Sequence, residues 1–360
     1  MKICAYVQTS YAKPVYKTEC FNVRAWVGMS VIIDVLNRAG YQVEYAGKDT
    51  VHQYDIVLVS LTSDCDWWQF ISERVTWRKG NYKVIIGGAG LLNIRPFREY
   101  ADCFIFGRGE NLIVPVVEAL AGGDEYSHES VAYRETFSVD STYKIAQVDA
   151  VYPHEVGLEN GKIFREDEIG CPHKCFFCGY SWQRKYCGRG TYTDTSDDWC
   201  EFLDIIREID ATCSPGKQWG IILHSTPFRA MPATPLACAP MSYKNYRGEI
   251  ARVLGKGKYK GNIFYQGNKF WAVEGMGTDS LSTHALSAIC HRGTEKDADN
   301  ARKVACNRKF WNSNSAVKQA TIEKYFDVDA LFGRYTWDTL PTRYLHTYAN
   351  IPKMIEKMGP

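Results

Sequence analysis

The sequence predicts an α/β protein whose N-terminal third is an open parallel sheet. Three observations predict it. Short apolar runs rich in Val and Ile recur through residue 106, and segments long enough for helices alternate with them. The run Asp55-Ile56-Val57-Leu58-Val59-Ser60 is apolar at successive positions, as a strand covered on both faces requires. Glycine or serine stands where these runs end, so the turns fall at the carboxyl ends of the strands.

Taken in order, residues 3–7 form a strand, and residues 24–38 have helical periodicity with Gly40 as the stop. Strands follow at 41–45 and 55–60, then a Trp-rich helix at 66–78. The strand at 82–86 runs into Gly87-Gly88-Ala89-Gly90, and the strand at 103–106 ends at Gly107-Arg108-Gly109-Glu110 before a helix at 112–120. Right-handed crossovers between parallel strands put any ligand at their carboxyl ends. Those ends carry Ser60-Leu61-Thr62, Gly87-Gly88 and Gly107-Arg108-Gly109-Glu110. Glycine there lets backbone approach a ligand, and equally it makes a tight turn.

Composition bounds the class. A chain of 360 residues, 45% hydrophobic and 23% charged, has the make-up of a globular protein with about two domains. Its 43 Lys plus Arg stand against 41 Asp plus Glu, a net charge of +2 that demands neither a polyanion nor a membrane surface. No apolar run approaches the ~18 residues of a membrane span. The opening residues read as a strand rather than a signal peptide, so a cytoplasmic location is expected. Thirteen cysteines are odd in number and sparse, which argues against a disulfide framework. Cys4, Cys20, Cys65, Cys103, Cys200, Cys213, Cys238, Cys290 and Cys306 are scattered singly and read as small buried or incidental residues.

One group differs. Gly170-Cys171-Pro172-His173-Lys174-Cys175-Phe176-Phe177-Cys178-Gly179 brings three thiols within eight residues of a glycine-flanked loop. A structural zinc wants a fourth ligand, for which His173 lies inside the loop and Cys187 nine residues beyond it. A [4Fe-4S] cluster held by three thiolates leaves one iron open, which suits an enzyme whose substrate or cofactor binds the cluster directly.

This C-x3-C-x2-C loop, with Phe177 before its last cysteine, resembles the signature of the radical S-adenosylmethionine superfamily. The resemblance implies that Cys171, Cys175 and Cys178 hold a [4Fe-4S] cluster and that Phe177 packs beside cluster and adenine. It implies that the open iron chelates S-adenosylmethionine, whose reductive cleavage gives a 5'-deoxyadenosyl radical. The Ser60-x-Thr62 strand end followed by Gly87-Gly88 resembles elements of the cobalamin-binding domain, and Gly107-x-Gly109-Glu110 resembles what such domains show before a radical enzyme. The implied cobalamin contacts are Ser60, Thr62, Gly87, Gly88, Gly107, Gly109 and Glu110. That family's Asp-x-His-x-x-Gly loop is missing, since residues 9–22 hold no His, so the resemblance implies cobalamin held without a protein imidazole, or a domain that has lost the cofactor.

The resulting expectation is a Rossmann-like cobalamin-binding domain at 1–122, a linker at 123–165, a partial, shortened radical S-adenosylmethionine β/α barrel at 166–312, and an aromatic, helical extension at 313–360. Glu159-Asn160-Gly161-Lys162 suits a hairpin tip, and residues 197–209 an amphipathic helix. After the cluster loop the next clear strand is 219–223, and no Gly-Gly-Glu-like segment intervenes, so the barrel is read as trimmed or completed by a partner chain. The expected reaction is transferase chemistry, methylcobalamin-dependent C-methylation or a radical rearrangement, on an unknown substrate with an electron donor. A noncatalytic iron–sulfur or assembly protein of the same descent is the alternative. A methylthiotransferase is weaker, because Cys4, Cys20, Cys65 and Cys103 do not reproduce the second cysteine triad of those enzymes.

Residues 241–312 hold thirteen Lys or Arg against six Asp or Glu, a local net charge of +7, with aromatics interleaved. Such a pattern can serve nucleic acid or a phosphorylated cofactor, but a solvated basic surface over an ordinary core is the favoured reading. Residues 256–261 read as a basic loop and residues 297–310 as one charged helix; His284 and His291, seven apart in a helix, read as structural or surface residues.

Overall fold

Successive strand residues point to opposite faces of a sheet. In the N-terminal strands both sets are apolar, so the sheet has to be covered twice. The computed structural model describes residues 1–6, 27–62, 66–138, 143–157, 163–165, 168–169, 187–188, 219–224, 258–260, 263–266, 269–274, 281–313 and 315–327. Strands β1 (Ile3–Tyr6), β2 (Val43–Ala46), β3 (Ile56–Ser60), β4 (Lys83–Gly87), β5 (Cys103–Ile105) and β6 (Val131–Tyr133) form one sheet in the order β2-β1-β3-β4-β5-β6. All pairs are parallel except β5 with β6. The order reverses between β1 and β3, the switch point at which open α/β sheets bind ligands.

On one face Ile3, Ala5, Leu58, Ile85 and Ile105 meet helices α1 (Val27–Arg38) and α3 (Ile113–Gly122), which contribute Met29, Leu36, Ile113, Val116 and Val117. The other face presents Cys4, Tyr6, Val57, Val59, Ile86 and Phe104 to helix α2 (Asp66–Arg74), with Trp67, Trp68 and Phe70 in its buried face. Helix α2 ends earlier than the predicted residue 78. Beyond it Trp77 folds back onto Tyr6, ring centroids 4.5 Å apart, and Arg74 lies over the Trp77 and Tyr82 rings. The Tyr6 hydroxyl donates to the buried carboxylate of Glu73, and Gln69 Nε2 donates to the other oxygen at 2.6 Å. Burial, then this hydrogen bond, pushes the Tyr6 hydroxyl far above its ordinary range.

The same core receives residues from the far end of the chain. Helices α4 (Leu281–Arg292), α5 (Ala298–Ala305), α6 (Arg308–Asn312) and α7 (Ser315–Tyr325) place Leu286, Ile289, Val304, Phe310 and Ile322 beside the α2 aromatics. Asn93 Nδ2, buried after β4, donates to the carbonyl of Gly293 at 2.8 Å, and Arg95 Nε stands 4.0 Å from Glu295. His291 is buried among them. The sequence reading groups 281–312 with the cluster-loop region, whereas these side chains complete the N-terminal core. The single helix expected at 297–310 is two, because Asn307 leaves helical geometry and its side chain accepts from the Phe310 N–H at 3.1 Å.

The stretch read as a linker also contributes. Strand β6 pairs along the sheet edge, and Tyr143 stacks on Phe106 at 5.2 Å. Strands β7 (Glu155–Gly157) and β8 (Ile163–Arg165) pair antiparallel, and the predicted hairpin tip at 159–162 lies outside the described residues. Strands β9 (Glu168–Ile169) and β10 (Cys187–Gly188) pair antiparallel too.

Two compact units divide the chain: Met1–Arg189 with Ala230–Cys238 and Leu281–Pro360, and Gly190–Arg229 with Ala239–Ser280. The second holds a sheet of β11 (Trp219–His224), β14 (Lys269–Glu274), β13 (Ile263–Gln266) and β12 (Lys258–Lys260), in that order. The predicted basic loop at 256–261 thus includes a strand. Only β11 with β14 is parallel; the other two pairs are antiparallel. A β/α barrel pairs neighbouring strands in parallel, and among the described strands of this unit one pair has that form. Among the described residues no helix is long and apolar enough to cross a membrane.

Candidate functional site

The period of two that builds the sheet also builds its binding end. On the α1/α3 face, Leu58 and Ser60 of β3 lie in register with Ile85 and Gly87 of β4. Across β5 the register partner of Ile85 is Cys103, and Ile105, beside Gly87, and Gly107 lie two and four residues beyond it. The inner row is Leu58, Ile85 and Cys103, and the outer row is Ser60 and Gly87 with Ile105 beside them. A cavity of about 120 Å³ opens over these rows and runs between sheet and helices, with Met29 and Ile32 of α1, Ile113 of α3, Arg108 and Glu110 completing its walls. Gly88 and Gly109 line it as well.

The glycines serve different ends. Gly88 has φ +107°, and a β-carbon there would stand 2.3 Å from the Leu61 carbonyl oxygen. Gly107 has φ +88°, and its β-carbon would stand 2.6 Å from both the nitrogen and oxygen of Ala146. Backbone conformation and close approach of another strand therefore require glycine at both, with or without a ligand. At Gly87 the nearest atom would be 3.5 Å away, and at Gly28, also in the lining, nothing lies within 4 Å. There the missing side chain leaves room in the cavity.

Glu110 is buried, and its Oε1 accepts from Arg108 Nε at 2.7 Å in an ion pair that also involves Nη2. The two charges offset each other, so the cavity offers local dipoles at its rim and apolar surface within. A strap, residues 143–154, braces two of its walls. The Ala146 N–H donates to the Phe106 carbonyl at 2.9 Å, and the Arg108 N–H donates to the Ala146 carbonyl at 3.1 Å. Further along, the Tyr152 hydroxyl donates to Asp34 Oδ2 of α1 at 2.8 Å, where Arg38 also pairs at 2.9 Å. Burial and then the Asp34 hydrogen bond raise the Tyr152 hydroxyl above its ordinary range.

Of the residues singled out in the sequence, Ser60, Gly87, Gly88, Gly107, Gly109 and Glu110 converge on this cavity. Thr62 does not line it; it is exposed, and its N–H donates to Asp66 Oδ2 at 2.7 Å at the start of α2. Cys171, Cys175, Cys178 and Phe177 lie outside the described residues, and among the described residues no three metal-ligating side chains gather. The ends of the cluster loop are described: Cys187 of β10 is the register partner of Ile169, two residues before Cys171. Sequence reading passed over the α1 wall, although Met29, Ile32 and Leu36 have the spacing of one helical face, and over the role of Arg108 as partner of Glu110.

Fold and site define an α/β domain with a cavity at the carboxyl ends of its parallel strands. No protein-family model matches the chain, and no curated protein or solved structure matches it.

Proposed function

We propose that the chain is a radical S-adenosylmethionine enzyme with a cobalamin-binding N-terminal domain, acting by C-methylation or rearrangement at an unactivated carbon. The observation that carries the reading is the convergence of Ser60, Gly87, Gly107, Gly109 and Glu110 on one cavity, in a chain that also bears the Cys171-x3-Cys175-x2-Cys178 loop. The cavity suits part of a cobalamin. Cobalamin ends in a nucleotide tail with a flat benzimidazole, and the space lies between helix and sheet, is apolar within, and has a volume near the roughly 150 Å³ of an apolar cavity that holds a benzene ring. For the cluster, the donor set supports the reading: three thiolates leave one iron of a [4Fe-4S] centre open.

When bound, the cluster supplies the electron that cleaves S-adenosylmethionine to methionine and a 5'-deoxyadenosyl radical, and cobalamin supplies a methyl donor. The chain's own part is to bind and orient. Cys171, Cys175 and Cys178 hold the iron. Ser60 and the backbone of Gly87 to Ala89 face the ligand at the rim, while Leu58 and Ile85 exclude water beneath it. Arg108 holds Glu110 in place.

The test is anaerobic reconstitution with iron and sulfide, an iron count, and chromatography for 5'-deoxyadenosine after adding dithionite and S-adenosylmethionine. About four irons per chain with 5'-deoxyadenosine, both lost in Cys175→Ala, is the expected outcome; a chain that takes up no iron would overturn it. One observation favours a second reading, a closed, noncatalytic metal centre. In the β9–β10 register Cys187 is the backbone partner of Ile169, which stands two residues before Cys171 in the sequence. Under that reading Cys187→Ala loses metal as Cys175→Ala does, and no 5'-deoxyadenosine forms.

A further inference from the structure

We propose that Tyr6 is a redox-active residue: it gives one electron to a strong one-electron oxidant, an organic radical or a high-potential metal complex, and passes its proton to Glu73. The inference stands independently of the cobalamin reading, since it concerns the α2 face of the sheet and not the cavity.

A tyrosine oxidised near neutral pH loses its proton along with its electron, because the phenol radical cation is a strong acid. A tyrosine suits the task when a base stands on its hydroxyl and water is kept away. Tyr6, the last residue of β1, meets both conditions. It is 5% exposed, and its hydroxyl donates to Oε2 of the buried Glu73, whose Oε1 accepts from Gln69 Nε2 at 2.6 Å. Burial first, then the Glu73 hydrogen bond, hold this proton against loss to solvent, so the carboxylate is its route out. Tyr54 and Tyr152 also donate to carboxylates, yet the Tyr54–Glu44 contact is exposed, and the Asp34 oxygen that accepts from Tyr152 is shared with Arg38.

A chain of rings leads to Tyr6. The Trp77 ring centroid lies 4.5 Å from that of Tyr6 and 6.1 Å from that of Tyr82, and Phe70 meets Trp77 edge-on at 5.8 Å. Rings this close exchange electrons without moving. The energies along the chain differ. The Arg74 guanidinium stands 4.9 Å from the Trp77 centroid and 5.4 Å from that of Tyr82, and a fixed positive charge opposes a radical cation on either ring. The Tyr82 hydroxyl donates to the Arg78 carbonyl, which cannot take up a proton at neutral pH. Of these three rings Tyr6 is the one hydrogen-bonded to a carboxylate, so a hole that enters at Tyr82 or Trp77 comes to rest there. The step balances. The oxidant is reduced by one electron, Tyr6 becomes the neutral tyrosyl radical, and Glu73 becomes the carboxylic acid; a one-electron reductant reverses each change.

The experiment flash-oxidises the full chain with a ruthenium polypyridyl complex and a sacrificial electron acceptor, freezes it after a delay, and records electron paramagnetic resonance. Radicals on exposed tyrosines couple between chains and vanish, whereas a tyrosyl signal that outlasts the delay is expected from the buried site. Its yield should be the same in mildly acidic and mildly alkaline buffer, because the proton stays inside the protein. Tyr6→Phe, which keeps the ring, should lose the lasting signal. Glu73→Gln, which keeps an acceptor for the hydrogen bond and removes the base, should lose it too, with thermal unfolding of both variants confirming that they fold. No lasting signal in the parent chain overturns the proposal, and so does a lasting signal that survives in Tyr6→Phe. A signal lost in Tyr6→Phe and kept in Glu73→Gln overturns the proton transfer to Glu73. The parent chain tests that transfer without any variant: a yield that rises with pH shows the proton leaving to water and overturns it.

Discussion

The two faces of the N-terminal sheet are built from the same strands and have been put to different uses. Beneath α2 the side chains are large and interlocked: Trp67 stacks on Phe97 at 4.6 Å, Trp68 meets Phe97 edge-on at 6.0 Å, and both indoles are fully buried. Beneath α1 and α3 they are aliphatic, and the packing stops short of the strand ends, where the cavity opens. A close-packed face tolerates no occupant, since protein interiors leave few voids as large as a ring. The difference teaches that one face of the sheet is closed by interlocked aromatics while the opposite face leaves an open cavity at the strand ends.

The largest expected effect comes from removing one face altogether. Ending the chain at Ser280 takes away Leu286, Ile289, Val304, Phe310 and Ile322 from the α2 side, and the product should lose its cooperative thermal transition and bind hydrophobic dye. A cooperative transition in that product would show that α2 suffices to cover the face. Next, Phe97→Ala should cost about 3–5 kcal/mol in denaturant unfolding, with iron uptake and ligand affinity measured in native buffer unchanged. Smaller again, Gly107→Ala should cost about 1–3 kcal/mol through its positive φ and the blocked Ala146 contact, and loosen the strap in hydrogen exchange at the Ala146 amide. Gly28→Ala should by contrast be neutral or stabilise by up to about 1 kcal/mol, because nothing lies near its β-carbon.

The smallest effect at neutral pH is one of slope. Burial first, then the Glu44 charge, pushes the Cys4 thiol up from 9.0 to about 12. Above pH 9.0 the unfolded chain gives up that proton while the folded chain keeps it, so stability is whole below that value and falls as pH rises toward about 12. Urea midpoints at about pH 8 and about pH 10.5 should therefore differ less in Cys4→Val than in the parent chain. An identical difference in both would assign the alkaline loss to other groups.

Much of the sheet was legible because its strands are dense with β-branched residues: β3 and β4 fall within a residue of the apolar runs that mark them. The cavity was legible through its rim, since a ligand at a parallel sheet sits where strands end, and Ser60, Gly87 and Gly107 stand there. Thr62 shows the limit of that rule, for a strand end also feeds the next helix and its amide serves α2. Strand β6 was not legible, because three residues, Val131-Ala132-Tyr133, carry no periodicity and pair only when β5 offers an edge. The docking of α4 to α7 was not legible either. An amphipathic helix states that one face is buried and carries no address for the surface that buries it. Gly88 and Gly107 looked like ligand glycines, and the neighbouring backbone explains them fully.

A core closed by both ends of one chain also has a schedule. The ribosome finishes α2 and strands β1 to β5 by Phe106, and Leu286 follows roughly 180 residues later, on the order of ten seconds or more at ordinary rates of synthesis. During that interval Trp67, Trp68, Phe70 and Phe97 lack Leu286, Ile289, Val304, Phe310 and Ile322 from their cluster. The nascent chain thus waits with an aromatic surface uncovered, and its success in the cell depends on what shields that surface until the last helices arrive.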